Sequence, residues 1–215
     1  CGTSYATPMV SGAAGLIKSQ FPTFTAGQIE SLLKESSVNI DAIPANVPMA
    51  GKLGEGRLNM AAALAGPTGP YLYMTQRNFS DGNDNQLFAG ETVNLSGILV
   101  NYLNPSTAAC SATLSSNSAF ITITDANSLI GNLGTLSTMN NTGDPFTFSI
   151  SASCPVNHTV IFKITYNDGA YTSYQHFSLS VNPSFVNITA NQTHTTICSN
   201  GRIGYNNEAV TQGLG

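Results

Sequence analysis

Hydrophobic and polar residues alternate over much of the second half of the chain. Apolar side chains occupy every second position in residues 146–150 and again in 160–166, which is the period of a strand with one buried face. Asn167-Asp168-Gly169 has the composition of a hairpin turn, and the alternation resumes over 177–181. Further strands are predicted near 71–77, 92–102, 108–115 and 119–124. This pattern predicts an all-β region of short antiparallel strands.

About seven or eight strands in roughly 115 residues, separated by turn residues, predict an immunoglobulin-like sandwich over residues 71–183. The stretch Gly66-Pro-Thr-Gly-Pro70 interrupts the periodicity ahead of it, and residues 67–70 are interpreted as a linker. Residues 184–215 are predicted to be the start of a further, truncated module or a disordered tail.

The first third of the chain follows a helical pattern instead. Thr25 and Gln28 have the spacing of a capping box ahead of an apolar stripe, which predicts the beginning of a helix. Asn59 is the expected N-cap of a further helix over residues 60–65, and Gly66 stands just past its end.

Residues 1–19 begin with a Gly-Thr-Ser turn and continue as a helix of small residues. Ser4 is thereby expected at a helix N-terminus, where unpaired backbone N–H groups favour negative charge. Gly2 would allow a substrate to approach the backbone closely, and Pro8 is expected in the first turn. The glycines of residues 12–15 lower helix propensity, so this helix is expected to be buried and closely packed.

This segment resembles the nucleophile segment of subtilisin-like serine proteases (subtilases, family S8), whose motif reads Gly-Thr-Ser-x-Ala-x-Pro. The resemblance implies that Ser4 is the catalytic nucleophile and that Gly2 and Thr3 shape the oxyanion turn beside it. The alternative is an ordinary buried helix that happens to begin with Gly-Thr-Ser.

The elements after the first helix are also similar to the end of a subtilase catalytic domain. Gly54-x-Gly-Arg-Leu-Asn59 before the last helix continues the resemblance, which covers about residues 1–66. The predicted fold class is therefore multi-domain. It combines a helical C-terminal remnant of an α/β subtilisin-like domain (1–66) with an all-β immunoglobulin-like sandwich (71–183). The sandwich resembles modules that follow catalytic domains in secreted bacterial hydrolases, particularly of the Bacteroidetes type.

The family's triad runs Asp, His, Ser along the chain, with the acid and the base upstream of the serine. Here only three residues precede Ser4, and the histidines are His158, His176 and His194, in predicted strands or tail. The chain is therefore expected to be a fragment that lacks the triad His and Asp and is inactive alone. A base must come within hydrogen-bond reach of the hydroxyl, and nothing in the sequence brings one of these histidines there.

Composition limits the partners. Only 8% of the residues are charged and the net charge is −4, so no basic surface for nucleic acid is expected. No apolar run approaches the roughly 20 residues of a membrane span. The Ser-, Thr- and Asn-rich middle favours a secreted, extracellular or cell-surface protein, with a protein or peptide substrate. The β-domain could provide a cell-surface association.

Cysteines and two minor patterns complete the predicted sites. Cys110 and Cys154 both fall in the β-region and are predicted to form a disulfide, with two free buried thiols as the alternative. Cys1 and Cys198 have no obvious partner. No organic cofactor or metal cluster is indicated.

Residues 81–85 carry clustered oxygen side chains of the kind that bind calcium, but they lack the full spacing of a calcium loop, and an ordinary turn is the alternative. Tyr166, Tyr171 and Tyr174 could form an aromatic patch that binds sugar or protein, or could serve sandwich packing.

Two functions of different classes follow. The first is a fragment of a secreted subtilisin-like serine endopeptidase that acts through an acyl-enzyme on Ser4. The second is a non-catalytic cell-surface adhesion or interaction protein that keeps a degenerate protease scaffold beside immunoglobulin-like modules. A carbohydrate-binding role for the sandwich is a further alternative.

Overall fold

The computed structural model describes residues 2–169, 171–190, 193–198 and 203–204. Three α-helices come first: α1 (Thr3–Gln20), α2 (Ala26–Glu35) and α3 (Met60–Ala65), with a 3₁₀ turn at Val47–Met49. None of the described helices combines the length and the hydrophobicity needed to cross a bilayer.

Both predicted helix starts are confirmed by their caps. The N–H of Gln28 donates to Thr25 Oγ1 at 3.3 Å while the N–H of Thr25 donates to Gln28 Oε1 at 3.0 Å, so the capping box of α2 is complete. Asn59 Oδ1 accepts the N–H of Ala62 at 3.2 Å at the start of α3.

Nine strands make up the β-region. They are β1 (Leu72–Ser80), β2 (Thr92–Asn101), β3 (Ser111–Ser116), β4 (Ile121–Asp125), β5 (Asn127–Leu129), β6 (Thr138–Asn140), β7 (Phe146–Ile150), β8 (His158–Asp168) and β9 (Tyr171–Val181). All their pairings are antiparallel. The first sheet has the order β1-β2-β7-β4, with β6 also beside β2, and the second has the order β5-β3-β8-β9. The strands expected near 71, 92, 108 and 119 are therefore confirmed, with boundaries that differ by a few residues.

One continuous segment, β4–β5, pairs with strands of both sheets. Residues 121–125 pair with β7 in the first sheet, and residues 127–129 pair with β3 in the second. The crossing takes place at Ala126, whose carbonyl accepts the N–H of Leu114 at 2.7 Å. The β4–β5 segment therefore covers one open side of the sandwich.

The core of the sandwich lies between the two sheets. The predicted alternation is confirmed, because Phe146, Phe148 and Ile150 of β7 are buried, as are the even-numbered residues 160–166 of β8. The rings of Phe148 and Phe162, from opposite sheets, lie 4.9 Å apart. Burying side chains of this size contributes about 1.5–3 kcal/mol each.

The predicted fold class is wrong. The described chain is mostly β-structure arranged in several sheets, with only three helices, and a helical remnant does not stand as a unit of its own. Ile17, Leu32 and Ala63 bring the helices together, but Tyr71 and Leu103 of the sandwich complete their small core. The helices are therefore a layer packed on one end of the sandwich.

The contact between this layer and the sandwich is close. A Cβ on Gly27 of α2 would lie 2.7 Å from Cε1 of Tyr102, so a larger residue there would displace the ring. The hydroxyl of Thr68 donates to Glu35 Oε1 at 2.6 Å and ties the connecting segment to the end of α2.

Three further strands follow the sandwich: β10 (Phe185–Ala190), β11 (Thr193–Cys198) and β12 (Ile203–Gly204). They form a separate antiparallel sheet in the order β10-β11-β12. Val186, Ile197 and Ile203 lie opposite one another in register and are exposed. The prediction of a further module over 184–215 stays a prediction, and its last residues lie outside the described ranges.

Candidate functional site

Ser4 lies in the first turn of α1 and its side chain is exposed. Gly2 is the N-cap residue, with an extended backbone at φ −167° and ψ 168°, and no side chain caps this end of the helix. The first helical hydrogen bond runs from the N–H of Tyr5 to the carbonyl of Gly2, at 3.1 Å. The expected helix start at Ser4 is therefore confirmed, although Thr3 and Ser4 are themselves helical and the predicted turn is reduced to the extended Gly2.

The backbone around Ser4 suits an anionic group. The first N–H groups of a helix have no intrahelical acceptor, and the helix dipole adds a partial positive charge at the same end. The N–H of Ser4 belongs to this set. A developing oxyanion beside the Ser4 hydroxyl would meet donors that are already oriented.

Neither Gly2 nor Thr3 is required by the local packing. The backbone of Gly2 is one that any residue adopts, and a Cβ added there would meet no atom within 4 Å. Thr3 provides its carbonyl to the hydroxyl of Thr7 at 3.1 Å. Their predicted role in shaping an oxyanion turn stays a prediction.

The expectation that α1 is closely packed is wrong. Residues 2–12 are all exposed, and the helix is held by Ala13 and Ile17. A Cβ on Gly12 or Gly15 would meet nothing within 4 Å. The N-terminal half of α1 therefore projects from the layer with an uncovered surface of small and apolar residues.

Pro8 is also placed differently from the expectation. It is the sixth residue of α1 and lies beyond the first turn. Because proline has no N–H, the carbonyl of Ser4 receives no hydrogen bond from that position. The helix therefore has a weakened turn directly after the serine.

In the described part of the chain, no histidine forms a hydrogen bond with Ser4. His158 Nε2 lies 3.1 Å from Ser118 Oγ on the sandwich, and His176 is in β9, where burial first and then Lys163 lower its pKa below the usual 6.5. His194 is in β11, and its side chain lies outside the described part. Ser4 also precedes the buried Ile17 by 13 residues, about 20 Å along the helix axis.

The predicted disulfide is not formed, because Cys110 and Cys154 are free buried thiols. Cys110 precedes Ser111, which pairs with Asn167 near the end of β8. The carbonyl of Cys154 accepts Asn182 Nδ2 at 2.7 Å, next to the residue that pairs with the start of β8. The two sulfurs thus lie near opposite ends of an eleven-residue strand, about 30 Å apart, far beyond the reach of a bridge.

Burial also makes the thiols of Cys110 and Cys154 poor nucleophiles, because it disfavours the thiolate form. Burial, with Asp168 nearby, raises the pKa of Cys110 to about 11, and burial raises the pKa of Cys154. Cys1 lies outside the described residues, and Cys198 is buried in β11.

The other two predicted patterns lie on the sandwich, and calcium binding at residues 81–85 stays a prediction. Tyr166 is fully buried and donates to Gln175 Oε1 at 2.7 Å, and a buried face of Tyr171 covers Gly69, so the three tyrosines do not form one exposed patch. Asp81 Oδ1 accepts the N–H groups of Asn83 and Asn85 at 2.9 and 3.0 Å, which is turn chemistry. Across the described ranges, no group of three or more His, Cys, Asp or Glu residues is placed to hold a metal.

A comparison with protein families gives one finding. Residues 1–87 match the family model of the subtilase family, peptidase S8. The match includes α1 to α3 and β1, and so extends past residue 66. No curated protein matches the chain. The family match supports a subtilase-type serine protease scaffold for the N-terminal part of the chain.

Proposed function

We propose that Ser4 is the nucleophile of a secreted subtilisin-like serine endopeptidase. The observation that carries the proposal is the exposed Ser4 side chain in the first turn of α1, within a segment that matches the subtilase family. A structural serine at that position would be expected to have a partner or to be buried, and the described structure records neither for its hydroxyl.

The chemistry proposed is acyl transfer. Ser4 Oγ attacks the carbonyl carbon of the scissile peptide bond while a base removes its proton, and the carbonyl oxygen becomes an oxyanion that accepts the Ser4 N–H. Collapse of this intermediate breaks the C–N bond, and the proton passes to the leaving amine. Water then hydrolyses the acyl-enzyme and restores the hydroxyl.

Gly2 has a steric role in this proposal. Nothing in the described structure needs a glycine at that position, because its backbone is extended and the space around it is open. The absence of a side chain there would serve an approaching substrate, whose carbonyl must come close to the turn.

The base and its orienting acid are proposed to come from protein outside this chain. The structure describes the side chains of His158 and His176, and both lie on the sandwich. His158 pairs with Ser118, and His176 lies beside Lys163. The isolated 215-residue chain is therefore proposed to lack peptidase activity.

The sandwich is proposed to be an accessory, immunoglobulin-like module of this secreted enzyme. The support is its two antiparallel sheets, which meet on one core, in a chain whose sequence is rich in Ser, Thr and Asn. In this module the short strand β5 lies beside β3, and the chain passes from one sheet to the other at Ala126. A cell-surface association through this module is part of the same proposal.

A chimeric protease tests the role of Ser4. Residues 2–66 would replace the matching nucleophile-to-last-helix segment of an active subtilase that keeps its own His and Asp. The chimera should hydrolyse a peptide substrate, and Ser4→Ala should abolish turnover. Ser11→Ala is the matched control, because Ser11 lies on the same helix and its hydroxyl donates to the carbonyl of Thr7 at 3.1 Å.

A folded chimera without turnover would contradict the proposal. Turnover that survives Ser4→Ala would do the same. The first result would favour a degenerate protease scaffold in an interaction protein.

A further inference from the structure

An open groove of about 650 Å³ lies where the helical layer meets the outer face of the second sheet. Its floor consists of outward-facing side chains of β8 and β9. These are Thr159, Ile161, Lys163 and His176. One wall is the loop that holds Asp41 and Gly51. The opposite side is formed by residues 115–120, which run from the end of β3 into the loop before β4.

The walls are held against the floor. Gly51 has φ +77°, and a Cβ there would lie 3.3 Å from the ring of His176. The N–H of Gly51 donates to Asp41 Oδ2 at 3.4 Å, and the side chain of Asn39 bonds to the hydroxyl of Tyr174. The groove is therefore formed before any ligand arrives, which lowers the ordering cost of binding.

The centre of the floor, β8, offers side chains and no free strand edge, whereas β9 is the edge strand of the sheet. β8 pairs with β3 on one side and with β9 on the other, so that Ser115, Lys163 and His176 lie side by side across three strands. A peptide cannot add as a strand beside β8, where Lys163 lies, because the backbone of β8 is paired on both sides. A ligand here must be recognised by side-chain groups.

Those groups match a ligand covered with hydroxyls. Ser115 and Ser116 donate to backbone carbonyls of β8 at 3.4 and 2.9 Å. Ser115 Oγ keeps its lone pairs as acceptors, and Ser116 Oγ keeps one beside the N–H of Ser118, which it accepts at 3.3 Å. Ser118 Oγ and His158 Nε2 form a 3.1 Å pair, and the half-buried ring of Phe120 lies 4.9 Å from the imidazole. Mixed donors and acceptors beside an aromatic ring suit a sugar, whose hydroxyls both donate and accept.

Lys163 adds a charge to the middle of the floor. Its Nζ lies 4.6 Å from the centre of the Tyr174 ring, and in the described part of the chain the one ion pair joins Lys34 to Glu30. The Lys163 ammonium thus has no carboxylate within 4 Å there. Asp41 on the wall would repel a densely anionic polymer, which favours a ligand with a single carboxylate among neutral hydroxyls.

The geometry points to a binding site for an acidic oligosaccharide in this groove. A uronic acid carboxylate binds the ammonium of Lys163, and neighbouring sugar hydroxyls bind the serines of residues 115–118 and Thr159. This site lies between the sandwich and the loop of residues 41–51, and it is independent of the peptidase proposed for Ser4.

Titration calorimetry of the 215-residue chain tests the site with matched saccharides. The probes are cellobiouronate, digalacturonate and the hyaluronate disaccharide, each compared with its carboxyl-reduced form. At least one acidic probe should bind at least tenfold more tightly than its reduced form, since a charge-assisted hydrogen bond is lost. Amide chemical-shift changes should centre on residues 115–120, 158–163 and 176.

Substitution of the lysine separates a direct contact from general charge. Lys163→Gln should reduce the preference for the acidic probe to about one while leaving the reduced form unaffected. Lys52→Gln is the control. Lys52 is exposed next to Gly51 but does not line the groove, and its substitution removes the same charge. It should keep the preference.

Three results would overturn the inference. The first is no shift in the groove with any acidic probe at about 10 mM, beyond the usual range of specific affinities. The second is an unchanged preference in Lys163→Gln. The third is equal or tighter binding of pentaglutamate at the same residues, which would make the site one for an acidic peptide.

Discussion

Asn101 is a buried polar residue that supports the contact between the sandwich and the helical layer. It is fully buried at the end of β2. Its Oδ1 accepts the N–H groups of Tyr71 and Leu103 at 3.1 and 3.3 Å, and its Nδ2 donates to the carbonyls of Asn104 and Leu133, both at 2.8 Å. Tyr71 and Leu103 are the two residues that close the core of the helices.

The cost of Asn101→Ala can be worked from these partners. The carbonyl of Leu133 keeps other donors from Ser106, and Asn104 is exposed, so water can replace the amide there. The N–H groups of Tyr71 and Leu103 are buried and lose their acceptor, at about 1–1.5 kcal/mol each. The two lost donor bonds add about 0.5 kcal/mol each, for a total of about 3–4 kcal/mol.

Urea unfolding followed by far-ultraviolet circular dichroism measures this loss. With a slope of about 2 kcal/mol per molar, the midpoint should fall by about 1.5–2 M. Asn94→Ala on the same strand is the control, because Asn94 is exposed and accepts one hydroxyl, from Thr147 at 2.9 Å. Its midpoint should change by less than about 0.3 M. A loss below about 1 kcal/mol in Asn101→Ala, or one equal to the control, would refute the reasoning.

Three further outcomes are expected. His176 has a lowered pKa because of burial and then Lys163, so its contribution to stability is present above pH 6.5 and declines as the pH falls through its folded pKa. His176→Gln should remove that part of the decline between pH 7 and pH 5 in urea unfolding, and an unchanged decline would contradict it. Cys110 and Cys154 should alkylate only after denaturation, and a linked peptide pair in a non-reducing digest would contradict their separation. Ser4→Ala should leave the unfolding midpoint of this chain unchanged, whereas a loss above about 1 kcal/mol would indicate a structural partner for the hydroxyl.

Local signals in the sequence predicted the elements well. The capping box at Thr25 and Gln28, and the alternation of residues 146–150, each depend on neighbours in the chain, and both are confirmed. β5 and β6 were missed because each has only three residues, too few to show a period.

Long-range relationships could not be predicted from the same signals. The prediction of a Cys110–Cys154 disulfide was wrong, because sequence spacing does not reveal that the two residues lie near opposite ends of β8. The pairing of Lys163 with His176 depends on the register of the β8–β9 hairpin, and Gly51 reaches that face only through the packing of the helical layer. The groove therefore had no signal in the sequence beyond an outward-facing lysine.

The small residues of α1 show a similar limit. Gly12 and Gly15 indicated close packing, but both face open space here, and the buried residues of α1 are Ala13 and Ile17. The motif around Ser4 and the packing of its helix are thus separate questions. The motif can be recognised in a short stretch of sequence, whereas the packing depends on what else contacts the helix.

The most direct measurement of the central claim is the site of covalent modification in the chimeric protease. After treatment with a fluorophosphonate, mass spectrometry of the digest should locate the adduct on Ser4, with no adduct on Ser11 of the same helix or in the isolated chain. An unmodified Ser4 in a folded chimera with intact His and Asp would contradict its assignment as the nucleophile.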